Sequence, residues 1–250
     1  QVGAKENSLP LLTQMKEALR LFDTPPTTRE LHYFTLFENQ WKSVCEWPPE
    51  GFSASRFFFQ PQGVLAGDAP ATQTADGFEV DFSTSTGCNN RWQTELDQRP
   101  VRYDPIQAPL SYTSAPLPVD TEITGYPIVT LWAASTHADG AFYVYLEALD
   151  ETGTAYYLSE GMLRALHRKI SDEKPPYKQF VPYHSFKRKD AQPLIPGQPA
   201  ELTFGLNPIS ALIRRGWRLR VSVSGADKDT FGRIPAEGIP TIAIKLSGEK

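Results

Sequence analysis

Leu110 to Arg164 reads LSYTSAPLPVDTEITGYPIVTLWAASTHADGAFYVYLEALDETGTAYYLSEGMLR, and three apolar runs in it decide the fold. Ile128 to Ala134 is β-branched and aromatic, and His137-Ala138-Asp139-Gly140 turns the chain after it. Phe142 to Leu149 alternates, with Phe142, Val144, Leu146 and Ala148 on one face, and Asp150-Glu151-Thr152-Gly153 ends it. Tyr156 to Leu163 is the third run. Short strands separated by Gly and Asp at this spacing predict an all-β sandwich. Ile128–Ala134 carries apolar residues at both parities, which predicts a central strand buried on both faces.

Working outward, the pattern continues on both sides. Upstream, Leu31 to Phe37, Phe57-Phe58-Phe59, Gly63-Val64-Leu65 and the alternating Phe78–Phe82 read as strands. Downstream, Leu202, Phe204 and Leu206 alternate, and Ile242, Ile244 and Leu246 form the last strand. Between them Trp217, Leu219, Val221 and Val223 share one face, with Arg218, Arg220, Ser222 and Ser224 on the other. That is the sequence of a half-buried strand. Segments 83–107 and 171–182 are polar and broken by proline, so they read as long loops. The architecture expected is mainly β, a jelly-roll sandwich.

Residues 8–22 are the exception. Ser8 can cap a helix, Pro10 suits its first turn, and Leu11, Met15, Ala18 and Phe22 fall on one face. Asp23-Thr24-Pro25-Pro26 stops it. An apolar stripe on so short a helix needs a neighbour to cover it.

Composition sets outer limits. A chain of 250 residues with 40% hydrophobic residues has enough apolar material for a sizeable core. The net charge of −4 gives no reason to invoke nucleic acid. Arg214-Arg215 with Arg218 and Arg220, and Lys187-Arg188-Lys189, then read as solvated faces. Cys45 and Cys88 lack metal-ligand spacing and read as two buried or half-buried thiols rather than a disulfide. No run of 18 apolar residues occurs, so no membrane partner is expected.

The ordered series of local motifs resembles a known family. Tyr112-Thr113-Ser114-Ala115-Pro116-Leu117, Asp120-Thr121-Glu122-Ile123-Thr124-Gly125, Leu131-Trp132-Ala133-Ala134-Ser135 and Gly161-Met162-Leu163-Arg164 come first. Tyr183-His184-Ser185-Phe186, Leu194-Ile195-Pro196-Gly197 and Gly216-Trp217-Arg218-Leu219-Arg220 follow in the same order. Glu38 to Lys42 and Trp47-Pro48-Pro49 mark the entry. The segment from about Leu21 to the C-terminus resembles the C-terminal β-domain of the cocaine-esterase-like (CocE/NonD) acyl hydrolases and their X-Pro dipeptidyl-peptidase relatives. The resemblance implies a galactose-binding-like jelly roll over 31–250, and it makes 1–30 the last helix and linker of an α/β-hydrolase domain. It also implies partners: the hydrolase domain of the same polypeptide, a small ester or amide substrate, and a homo-oligomer.

Relatives carry a Ser-His-Asp triad with its serine in a G-x-S-x-G elbow. This chain contains no G-x-S-x-G; Gly51-Phe52-Ser53-Ala54-Ser55 has only the first half. No catalytic residue, metal or cofactor is therefore expected in it. His32, His137, His167 and His184 each read as structural, His184 through a buried hydrogen bond. His137-x-Asp139 and Asp227-x-Asp229 hold too few oxygens to define a calcium site. The resemblance points to one functional loop, Ser83 to Trp92, reading STSTGCNNRW. In relatives a loop at this place leans toward the hydrolase site, which makes Asn89, Asn90, Arg91 and Trp92 candidates for the substrate pocket. The structural alternative is a loop whose side chains satisfy their own backbone. At the level of the whole chain, the alternative to a hydrolase accessory domain is an independent carbohydrate- or ligand-binding module, since five tryptophans are present.

Overall fold

Among the described residues, turn residues cut the chain into fourteen short strands. They are β1 (Leu31–Thr35), β2 (Gln40–Val44), β3 (Phe58–Gln60), β4 (Val64–Ala66), β5 (Thr74–Glu79), β6 (Leu110–Ser114) and β7 (Thr121–Gly125). There follow β8 (Ile128–Ser135), β9 (Ala141–Leu149), β10 (Ala155–Arg164), β11 (Ala200–Gly205), β12 (Ile209–Ile213), β13 (Arg218–Ser224) and β14 (Thr241–Leu246). The computed structural model describes residues 15–16, 19–20, 23–24, 29–88 and 104–247. One sheet runs β10-β9-β13-β6-β4-β3, a second runs β11-β8-β14-β5, and β12-β7 and β1-β2 form two-stranded pairs. Among the described strands every pairing is antiparallel except β4 with β6, and the isolated bridge of Leu36 with Ala211 is also parallel.

Neighbours in the sheets are distant in sequence, as in a jelly roll. β9 lies between β10, its hairpin partner, and β13, which pairs Arg218–Ser224 against Leu149–Tyr143. β8 lies between β11 and β14. The inner rows of the two sheets meet in a single apolar layer. Phe142, Val144, Leu146 and Leu219 come from the first sheet, and Leu131, Leu202, Phe204, Ile242 and Ile244 from the second. This is the sandwich that the alternation in Phe142–Leu149 predicts.

Several local expectations need correcting. β8 is central in its sheet, but only Leu131, Ala133 and Ser135 are buried; Ile128 is 51% exposed. Its second face looks outward, so the double-sided apolar pattern does not mean double-sided burial. Trp132 lies half-buried on that outward face instead of in the core. β13 is not half-buried either: Ser222 and Ser224, on its polar face, are buried like Leu219 and Val223. The strand expected at Phe78–Phe82 lies upstream, at Thr74–Glu79, because Asp81 caps a turn through the Ser83 amide (2.8 Å) and hydroxyl (2.6 Å). Cys45 and Cys88 are both exposed, where burial or half-burial is expected from the sequence.

The β1-β2 hairpin docks on the sandwich through backbone. Leu36 donates to Ser210 O and Leu212 donates to Leu36 O, both at 2.9 Å. Phe37, with φ of 65°, sends its ring against Tyr156 and Trp217, which stack at 5.3 Å. Burial of that ring offsets the cost of a left-handed backbone at a non-glycine residue. Of the helix expected over 8–22, Met15, Lys16, Leu19 and Arg20 are helical and the remainder lies outside the described residues; Asp23, expected to stop it, is helical as well. Met15 and Leu19, on or beside the predicted apolar face, are 54% and 63% exposed.

Candidate functional site

The outward face of β9 is the unusual surface of this sandwich. Tyr143, Tyr145 and Glu147 point away from the apolar layer, yet all three are buried. Glu147 is fully buried, and burying a carboxylate is tolerated only with charge or hydrogen-bond partners. Arg220 supplies both, donating through Nε to Oε2 at 2.7 Å and through a terminal nitrogen to Oε1 at 2.9 Å. The Ser222 hydroxyl adds a third bond at 2.9 Å. The strand register places Arg220 directly opposite Glu147, so this clamp is built into the β9–β13 pairing. Arg220 therefore belongs to the fold rather than to a solvated basic face. Arg214 is also engaged, donating to Asp120 and to the Phe37 carbonyl. Lys187 and Lys189 do remain at the surface, paired with Glu173.

One step along β9, the Tyr145 hydroxyl donates to Asp227 at 2.8 Å. Asp227, buried in the loop after β13, also accepts from the Thr86 amide (3.0 Å) and hydroxyl (2.6 Å). Around this bond set, Ser85 donates to Asp229 at 2.5 Å and Lys228 N donates to Thr84 O at 2.9 Å. The far end of the same loop returns here, with Asp104 N donating to Thr86 O at 3.3 Å. Gly87 has φ of +92°, and a Cβ on it would run into the Asp104 carboxylate. The positive φ is what favours glycine here, since the Asp104 carboxylate could swing aside. Ile106, Ala141, Tyr143 and Tyr145 form a small second core beneath, with Phe231 stacked on Tyr143 at 4.9 Å. Burial, with the Asp227 charge adding to it, pushes the Tyr143 phenol up to about 12.

The arrangement is a clamp that holds residues 84–87 and Asp104 together on the outer face of the large sheet. Asn89, Asn90, Arg91 and Trp92, the predicted pocket residues, lie outside the described residues, directly after Cys88. The clamp itself escaped the sequence reading, in which Asp227 and Asp229 are a solvated turn with too few oxygens for calcium. The two carboxylates are instead taken up by Thr86, Tyr145 and Ser85. Asp139 likewise accepts from Arg164 Nε at 2.7 Å and from the Gly140 amide at 2.9 Å. Among the described residues no cluster of three or more His, Cys, Asp and Glu side chains could hold a metal ion.

The histidines serve the scaffold. His184 is buried with its ring nitrogens 3.1 and 3.0 Å from the carbonyl oxygens of Lys169 and Thr203, tying the 165–186 segment to β11. His137 meets Thr136 at 3.0 Å, and His167 packs its edge on Phe186. His32 alone resembles part of a catalytic relay. Its Nδ1 lies 2.7 Å from the Ser43 hydroxyl, and its Nε2 lies 3.7 Å from Glu30. At 3.7 Å the carboxylate makes no hydrogen bond that would orient the ring. The His32 and Glu30 side chains are 61% and 52% exposed, so water competes for both. A working triad holds its orienting carboxylate buried. The purified chain is expected to give no p-nitrophenyl ester turnover above buffer, and Ser43→Ala should leave that reading unchanged. Turnover lost in Ser43→Ala would make these three residues a nucleophile site.

Taken together, the two-sheet sandwich and the clamped loop on its outer face define an accessory β-sandwich domain. The family of X-Pro dipeptidyl-peptidase C-terminal non-catalytic domains matches residues 21–247, and the chain belongs to that family. A protein of Mycobacterium bovis provisionally named a serine esterase is 42% identical over 223 residues. A protein of the same provisional name from Mycobacterium tuberculosis matches equally. In each case the aligned region is 87% of this chain and 35% of the relative, so the chain spans about a third of the curated relatives it matches. Among solved structures, an α-amino acid ester hydrolase superposes with a TM-score of 0.66 at 19% identity, over 90% of this chain and 39% of that one. An aminopeptidase from a marine-sediment Thaumarchaeota archaeon gives 0.68 at 18%, over 94% and 42%. A CocE/NonD family hydrolase from Staphylococcus aureus gives 0.63 at 18%, over 98% and 44%. These likenesses show the shared fold. No helix among the described residues is long and apolar enough to cross a membrane.

Proposed function

We propose that the chain serves, as a non-catalytic C-terminal β-domain, a serine hydrolase that cleaves ester or amide bonds. In this reading residues 31–250 are the β-domain and 1–30 the end of the catalytic domain. The sandwich packs on that domain and the Ser83–Trp92 loop forms part of its substrate pocket. The observation that carries the reading is the clamp on the loop's root. A buried carboxylate, a tyrosine hydroxyl and a glycine at positive φ are committed to holding residues 84–87 near Asp104. Long segments between strands often carry function, and the bonds spent on the flanks at Thr86 and Asp104 support that reading here. Asn89, Asn90 and Arg91 offer hydrogen bonds to a polar group, and Trp92 offers an apolar wall. The exposed Met15 and Leu19 support a covering neighbour for the N-terminal helix.

The test uses the hydrolase that contains this chain. Trp92→Ala and Arg91→Ala are expected to lower kcat/KM by different factors across esters of increasing acyl size, with the melting temperature unchanged. Loss of one to two powers of ten for the preferred acyl group corresponds to about 1.4–2.7 kcal/mol of transition-state stabilisation. Unaltered selectivity in both variants would return the loop to a structural role.

A further inference from the structure

The second sheet splits at one end, and the split opens a cleft. β14 pairs with β8 only over Ile242–Ile244, against Ser135–Ala133. Beyond that point β14 continues along β5 as far as Leu246–Thr74, while β8 continues along β11 as far as Ile128–Gly205. The two strands part, leaving a cavity of about 540 Å³ between them that reaches the interior of the sandwich. This size falls within the range of small-molecule sites. Its floor is the inner row of the large sheet, including Val144, Leu146, Leu219 and Val221. Its rim is exposed and apolar, with Ile128, Phe52 and Phe57 around the mouth. Residues 52–57 cross there without regular structure.

The charges at the mouth decide what such a cleft takes. Lys245 stands on the outward side of β14, since Ile244 and Leu246 on either side of it point inward and are buried. It is the only cation among the described lining residues. Glu122 is the only anion there, and Lys42 already holds it at 2.9 Å. An apolar interior with one ammonium at its entrance matches a molecule with an alkyl tail and a single negative head.

We propose that this split in the sheet binds an amphiphilic carboxylate, its alkyl tail between the two sheets and its head on Lys245. The site is separate from the clamped loop and does not depend on the hydrolase reading. A free strand edge would equally offer a seat to an extended peptide. The apolar floor and the lone lysine favour the carboxylate, because main-chain pairing on an edge makes no use of a charge at the mouth.

Titration calorimetry on the full 250-residue chain, with Trp132 emission as a second readout, tests this with hexanoate, octanoate and decanoate. Each added methylene should tighten binding about three- to four-fold until the cleft is full. Lys245→Met should weaken decanoate about ten-fold or more while leaving decanol unchanged, and Lys245→Arg should restore most of the loss. Three results would each overturn the proposal. One is no saturable binding of decanoate below its aggregation concentration. Another is equal affinity for decanoate and decanol in the unsubstituted chain. The third is binding of an extended apolar hexapeptide in place of decanoate, which would make the split a strand-accepting edge.

Discussion

Replacing Glu147 by alanine is expected to destabilise the chain by about 3–5 kcal/mol, read from urea unfolding. The cost does not come from the attraction lost. It comes from leaving Arg220, whose side chain is only 21% exposed, without its bidentate partner, and Ser222 without its acceptor. The double replacement Glu147→Leu with Arg220→Met should recover most of the loss, because two apolar side chains of similar size need no partners. If the double variant is as unstable as the single one, the clamp contributes something beyond mutual charge compensation. A loss under about 1 kcal/mol in the single variant would mean that water reaches this face and screens the pair.

Asp227→Ala is the second large effect, about 3 kcal/mol, because one carboxylate accepts from Tyr145 and twice from Thr86. Its signature is local. Hydrogen exchange should show the amides of Thr86 and Asp104 opening while those of β9 and β13 stay protected. Uniform loss of protection would place Asp227 in the global fold instead of at the loop root. The variant carries an alkaline signature as well. The folded protein holds the Tyr143 proton up to about 12, against 10.0 for an ordinary phenol. Folding stability linked to this group is therefore complete below pH 10 and falls as the pH rises toward 12. Removing the Asp227 charge lowers the folded-state value and should make that alkaline decline shallower. On the proposed reading, Asp227→Ala placed in a hydrolase that contains this domain should also impair the substrates that Trp92→Ala impairs.

The two effects fall on residues that local pattern treats as ordinary. Arg220 and Ser222 alternate with Leu219, Val221 and Val223, and a period of two states only that they face the other way. Whether that other side meets water or protein is not a property of the strand. It depends on which segments the topology lays over it. Here Ile106 and Phe231, from segments before β6 and after β13, pack on Tyr143 and Tyr145. The same reasoning explains the errors at β8, where the apolar Ile128 faces outward at the end at which β14 departs.

By itself the sequence determined the class of fold, the position of most strands and the inner row of the core. Alternation in Phe142–Leu149 and Ile242–Leu246, with Gly and Asp between runs, acts over a few residues and survives any change of partners. It also contains no nucleophile elbow, since that motif is local. Only the tertiary structure decided the pairing of Glu147 with Arg220, the convergence of Thr86, Tyr145 and Asp227, and the parting of β8 from β14. Those contacts join residues 73 to 141 positions apart, so they follow from strand order and register, which the period-two pattern leaves free.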